Sequence, residues 1–168
     1  VEPDMITVAK GIANGFPLAA VISTKEIAGS LEKNTISTFG GNPVSCASAN
    51  STIDIIKRDN LTENAKNMGY RLMRGMKKIQ KKYPKTLGEV RGKGLMVGLE
   101  LVRDETITDR TPDLDATNKI MEETKKRGLL IGRGGLYGNC LRIAPALNIG
   151  SDDIDEAIQI VAESFGTL

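Results

Sequence analysis

A chain of 168 residues, 40% hydrophobic and 26% charged, has the size and balance of one globular domain, or of the end of one with a small second domain attached. Its net charge of +2 and its 4% aromatic content supply neither the basic surface nor the stacking rings that nucleic acid or an anionic membrane would need, and no apolar run reaches the ~18 residues of a membrane span. It contains no histidine, which removes the usual general base, the usual metal ligand and every Ser–His or Cys–His nucleophile pair.

Chemistry must therefore run on lysine, carboxylate, hydroxyl or a borrowed cofactor. The two cysteines, Cys46 and Cys140, are far apart and lack CxxC spacing. Neither a metal centre nor a disulfide is expected, and a reducing intracellular compartment, cytoplasmic or mitochondrial, is. The opening "VEPDM" has no initiator methionine and no signal-like region, and an apolar stretch follows at once, as though the chain were cut from something longer.

In chain order, residues 6–9 and 18–22 read as short buried strands, because they are rich in β-branched residues, uncharged and bounded by turn residues. Lys10 sits where the first run gives way to a glycine-bearing turn. It is either a snorkelling surface residue or a buried amine with a task. Desolvation would disfavour its charged form, and a neutral amine is a nucleophile toward aldehydes. Residues 25–34 read as a short helix. In "STFGGNP" (37–43), the Ser37 and Thr38 hydroxyls precede two glycines and a helix start. This arrangement either cradles a phosphate or merely permits a turn. It is neither a P-loop nor a GxGxxG fingerprint. Asn42 suits the N-cap and Pro43 the first helical position, and the small residues Ser45 to Ala49 allow that helix to approach a neighbour closely.

A second helix is expected over residues 61–82, with Leu61, Ala65, Met68, Leu72, Met76 and Ile79 on one face and Pro84 ending it. The basic cluster at 73–83 is its solvated side. From residue 87 the period changes to a strand, a Gly-Lys-Gly turn and a longer strand in which Val97, Leu99 and Leu101 alternate. "VRGKG" (90–94) reads as a turn with surface charges. Residues 103–113 form a polar loop. Pro112 and Asp113 introduce a helix reaching about Lys126, with Gly128 as its stop. "LLIG" and "CLRIAPAL" read as strands across a glycine-rich connection, and the last helix starts from Ser151 as N-cap. Arg142, between Leu141 and Ile143, must face away from both. If that face lines a cleft, the guanidinium can grip a carboxylate; otherwise it forms a structural ion pair.

The fold class is thus α/β. Residues 1–58 read as the end of a larger α/β domain, since two strands cannot make a sheet alone. Residues 59–168 read as a small α+β domain, a sheet covered by helices.

Taken together, "PDMITVAKGIANGFPLAAVIST", "STFGGNPVSCASA", "VRGKGLMVGLEL" and "LRIAPALNI" resemble the class III aminotransferases, pyridoxal-phosphate enzymes of fold type I. The likeness runs along essentially the whole chain. The wording is nearest the alanine–glyoxylate type 2 branch, with the 4-aminobutyrate and ornithine-type branches as close competitors. The resemblance implies pyridoxal 5'-phosphate as cofactor and transamination between an amino acid, of alanine or omega-amino type, and a 2-oxo acid such as glyoxylate or pyruvate. It implies that Lys10 holds the cofactor as a Schiff base and shuttles a proton. It assigns Thr38 to the cofactor phosphate across a homodimer interface, and Arg142 to the substrate α-carboxylate. The family's enzymes are much longer, and the aspartate that pairs with the pyridine nitrogen would precede Val1, so the 168 residues alone are expected to be inactive. The competing expectation is a non-catalytic assembly or dimerisation module.

Overall fold

The computed structural model describes residues 2–103 and 110–168. The chain divides into two compact units, Val1–Asn60 and Leu61–Leu168.

In the first unit, β1 (Met5–Val8) pairs antiparallel with β2 (Ala20–Ser23), Met5 opposite Ser23 and Val8 opposite Ala20. A 3₁₀ turn (Lys10–Ala13) and the left-handed Asn14 begin the reversal between them. The strands are not buried, contrary to the sequence expectation: Ile6 is 47% exposed and Val21 64%. The reason is that a two-stranded ribbon, which no other strand joins among the described residues, has nothing to bury an apolar face against. Helix α1 (Lys25–Gly29) is shorter than expected. Thr24 caps its start by accepting from the Ile27 N–H, and the Ser30 hydroxyl donates back to the Ile27 carbonyl at 2.7 Å, competing with further helical bonds. Helix α2 (Pro43–Arg58) starts as the sequence implies, the Asn42 side chain accepting from the Ser45 N–H at 3.0 Å. Its small residues bring it close to the 3₁₀ turn. Ser45 and Ala49 are buried, and the Ser48 hydroxyl donates to the Ala13 carbonyl at 2.8 Å.

The second unit is an antiparallel sheet with helices on one face. Its strands are β3 (Leu87–Lys93), β4 (Met96–Arg103), β5 (Thr111–Pro112), β6 (Gly132–Gly134) and β7 (Cys140–Ile143), in the order β3-β4-β7-β6 with the short β5 also on β4. Helices α3 (Leu61–Lys82), α4 (Leu114–Lys126) and α5 (Ser151–Phe165) contribute Leu72, Met76, Ile120, Ile154, Val161 and Phe165 to a core completed by Val97, Leu99, Leu101 and Leu141 of the sheet. The face expected of α3 is the one it buries, while Arg74, Lys77, Lys78, Lys81 and Lys82 are exposed.

Local boundaries differ from expectation in ways the hydrogen bonds explain. The turn between β3 and β4 is Gly94–Leu95, so Arg91 is a strand residue rather than part of the turn. β6 begins only at Gly132, and Leu130 is 81% exposed. α5 has Gly150 as its N-cap, which has no side chain to cap with, and Ser151 lies inside the helix with its hydroxyl donating to Asp152. Within the expected polar loop, residues 104–109 lie outside the described residues; at its flanks Arg103 pairs with Thr111 and Val102 with Pro112. Asp113 caps α4, its carboxylate accepting from the Ala116 N–H at 2.9 Å. Asp113→Ala is expected to cost about 1 kcal/mol, read as a lower urea midpoint with an unchanged m-value.

Candidate active site

Lys10 opens the 3₁₀ turn with φ 54. A non-glycine residue in this left-handed region carries strain on the order of 1 kcal/mol, and the surrounding bonds hold it there. The Ile12 N–H donates to the Ala9 carbonyl at 3.4 Å, Asn14 to Gly11 at 3.1 Å and Phe16 to Ala13 at 3.2 Å, while Ser48 of α2 ties down the same Ala13. The twisted backbone turns Lys10 to the wall of a cleft of about 500 Å³ shared with Gly11, Asn14, Gly15, Phe16, Pro17 and Leu18. The amine is exposed, with no hydrogen bond or ion pair among the described residues. Within these residues a turn at the end of a two-stranded ribbon leaves Lys10 exposed, where the sequence reading expected partial desolvation.

Thr38 is exposed in a turn that precedes α2, and it does not line the Lys10 cleft. The turn accounts for both glycines after it. Gly41 has φ +66, and a Cβ on Gly40 would stand 2.7 Å from Ser37 Oγ and 2.8 Å from its Cβ. Gly41 is thus required by its left-handed backbone, and Gly40 by the Ser37 side chain that lies against it.

Arg142 lies in the second unit on β7, facing away from Leu141 and Ile143, both of which are buried. It is exposed and has no ion pair among the described residues, so it forms no structural salt bridge there. Five other arginines, Arg58, Arg71, Arg91, Arg103 and Arg127, are each paired with a carboxylate. Arg142 also helps to line a cavity of about 370 Å³ with Leu130, Ile131, Pro145, Asp153 and Glu156. Its strand partners are glycines on both sides, Gly98 of β4 and Gly132 of β6. A Cβ at Gly132 would lie 3.6 Å from Arg142 Nη2, so the guanidinium runs alongside that strand.

Sequence reasoning missed the left-handed backbone of Lys10, the Ser48 tie and the glycine neighbours of Arg142. The first two have no local sequence signal. The glycines do, since an isolated glycine in a strand marks a place where another group comes close.

The class III aminotransferase family model matches residues 1–165. The chain belongs to the class III aminotransferases. It is 43% identical over 162 residues to the human mitochondrial alanine–glyoxylate aminotransferase 2, covering 95% of this chain and 31% of that protein. It is 41% identical over 169 residues to the mitochondrial homolog 2 of that enzyme in Arabidopsis thaliana, covering 100% of this chain and 35% of that protein. Among solved structures it resembles a Bacillus anthracis aminotransferase, with TM-score 0.86 and 36% identity over 100% of this chain and 40% of that one. The chain thus spans about a third of the length of the curated relatives it matches. The α/β fold is that of the corresponding part of an aminotransferase chain.

Proposed function

We propose that this class III aminotransferase chain contributes the lysine, the substrate arginine and one phosphate-binding hydroxyl to a pyridoxal-phosphate transaminase site. The complete protein would move an amino group between an amino acid of alanine or omega-amino type and a 2-oxo acid such as glyoxylate or pyruvate. The single observation that carries the reading is Lys10: an unpaired, exposed amine held by a left-handed backbone on the wall of an open cleft. The residues present fit the cofactor, because the one amine on the cleft wall has no hydrogen bond or ion pair among the described residues and is free to condense with an aldehyde. When bound, pyridoxal phosphate supplies that aldehyde and a ring that withdraws electrons from the substrate Cα–H bond.

The roles of the chain's own residues follow from their chemistry. Lys10 Nζ would hold the cofactor through its aldehyde and, when free, would serve as the base for the Cα proton. Arg142 receives the substrate carboxylate in its planar fork and so fixes the direction of the Cα–H bond. Its lack of an ion pair supports this role. Thr38 would hold the cofactor phosphate through its hydroxyl, from the neighbouring subunit of a homodimer. An intracellular, reducing location accords with two free cysteines.

Incubation with pyridoxal phosphate, borohydride reduction and peptide mapping test the reading. Label concentrated on Lys10 is the expected result. Label scattered over Lys77, Lys78, Lys81 and Lys82 overturns it in favour of the non-catalytic module.

A further inference from the structure

The face of the second unit's sheet that the helices leave open carries a charge lattice fixed by register. Glu89 stands opposite Glu100, which stands opposite Cys140; Arg91 stands opposite Gly98, which stands opposite Arg142. Glu100 is therefore a diagonal neighbour of both Arg91 and Arg142, a separation that long side chains span. It pairs with only one of them. Arg91 Nη1 donates to the Glu100 carboxylate and, at 2.8 Å, to Glu89. Its Nη2 reaches Cys140 Sγ at 3.9 Å, across a path that Gly98 leaves clear of side chain.

We propose that Arg91 is a positioning residue that sequesters Glu100, and with it Glu89, so that the Arg142 guanidinium stays unpaired and open to a substrate carboxylate. The inference rests on the reading of Arg142 given above. Two carboxylates directly opposite each other repel, and a single guanidinium that touches both removes the repulsion. The hydrogen bond to Glu100 raises the Arg91 pKa above its ordinary value, so Arg91 stays charged throughout the range in which the enzyme could work. Without Arg91, Arg142 is the remaining arginine diagonal to Glu100 by register, and a swing of its guanidinium from beside Gly132 toward that carboxylate would compete with substrate for the same fork.

The test uses the complete, cofactor-loaded protein and measures equilibrium binding, not turnover. The probe is 2-aminoisobutyrate, which has an α-carboxylate but no Cα–H to lose, titrated by calorimetry. tert-Butylamine, an amine with neither a carboxylate nor a Cα–H, is the control. Arg91→Met is expected to weaken 2-aminoisobutyrate about tenfold, and Arg91→Met with Glu100→Gln to restore it to within about twofold of the parent, because the two sites are directly coupled. tert-Butylamine binding should not follow either change. Unchanged 2-aminoisobutyrate binding in Arg91→Met overturns the proposal. So does a loss that Glu100→Gln fails to restore, which would mark Arg91 as structural only. If Arg91→Met does not fold, Arg91→Gln, which can still hydrogen-bond the carboxylates but cannot neutralise them, carries the same test with the same outcomes. Arg142→Gln separates the underlying reading. It should weaken the probe by about 30-fold or more, and if it does not, the role of Arg142 falls whatever Arg91 does.

Discussion

Lys10→Asn is expected to lower amino-group transfer by the complete, cofactor-loaded protein at least about 10³-fold, because in the function proposed above one amine performs both the covalent step and the proton transfer. The same substitution is expected to leave the protein at least as stable as before. Lys10 is exposed, forms no hydrogen bond or ion pair among the described residues and has φ 54. Asparagine tolerates that backbone region better than lysine does, so nothing stabilising is lost and some strain is relieved. This combination, activity gone and stability kept, distinguishes a residue placed for chemistry from one placed for folding. Lys10→Arg divides the chemistry further. It keeps the positive charge, but a guanidinium neither condenses with an aldehyde nor gives up a proton near neutral pH. It should be as inactive as Lys10→Asn, and substantial activity in Lys10→Arg would reduce Lys10 to an electrostatic role. Single-turnover pyruvate formation from alanine, alongside urea midpoints for each variant, measures both halves of the prediction.

Much of the second unit was legible in the sequence because its elements carry their own periodicity. The stripe from Leu61 to Ile79 and the alternation of Val97, Leu99 and Leu101 each encode a buried face, and the sheet and helices that meet there complete one another within Leu61–Leu168. The first unit was read less well for a matching reason. Residues 6–9 and 18–22 have the composition of strands buried on both faces, yet they form a ribbon of their own that leaves Ile6 and Val21 in water. Strand type was therefore readable and burial was not, because burial depends on what packs against the strand. At the candidate site, residue types alone left Lys10, the 37–43 loop and Arg142 with open alternatives, and only the resemblance to the family assigned roles to Lys10, Thr38 and Arg142. The left-handed φ of Lys10 and the Ser48 bond that steadies the turn depend on contacts 35 residues apart, and no local pattern reports them. The Arg91 lattice falls between these cases. It follows from register alone once the turn is placed at Gly94–Leu95 rather than at Gly92-Lys93-Gly94.

That turn also governs the largest stability effect expected of the fold. Gly69 lies in the middle of α3, where intrinsic propensity alone says that alanine should stabilise by about 1 kcal/mol. The structure reverses the sign. A Cβ on Gly69 would stand 2.2 Å from both the carbonyl carbon and oxygen of Gly94, and 2.6 Å from its Cα. The obstruction is backbone, and Gly94 cannot easily yield: it holds φ +56, with the Ala65 carbonyl already 3.4 Å from where its own Cβ would be. Helix and turn meet main chain to main chain, so an added methyl must push the β3–β4 hairpin off α3 and open the core around Leu72 and Leu95. Overpacking of this kind costs about 1–3 kcal/mol and occasionally more, so Gly69→Ala should destabilise by on the order of 2–4 kcal/mol, a large share of the 5–15 kcal/mol typical of a domain. Gly75, two turns along the same helix, supplies the contrast. A Cβ there would meet Ile158 of α5 at 2.5–2.9 Å through Cδ1, Cγ1 and Cγ2, which is side chain rather than main chain but stiff at χ1, so Gly75→Ala should cost less than Gly69→Ala, on the order of 1–2 kcal/mol. Urea midpoints for the two variants in parallel decide the matter. If Gly69→Ala unfolds at a higher midpoint than the parent, α3 and the glycine turn do not touch as described, and helix propensity is the stronger effect.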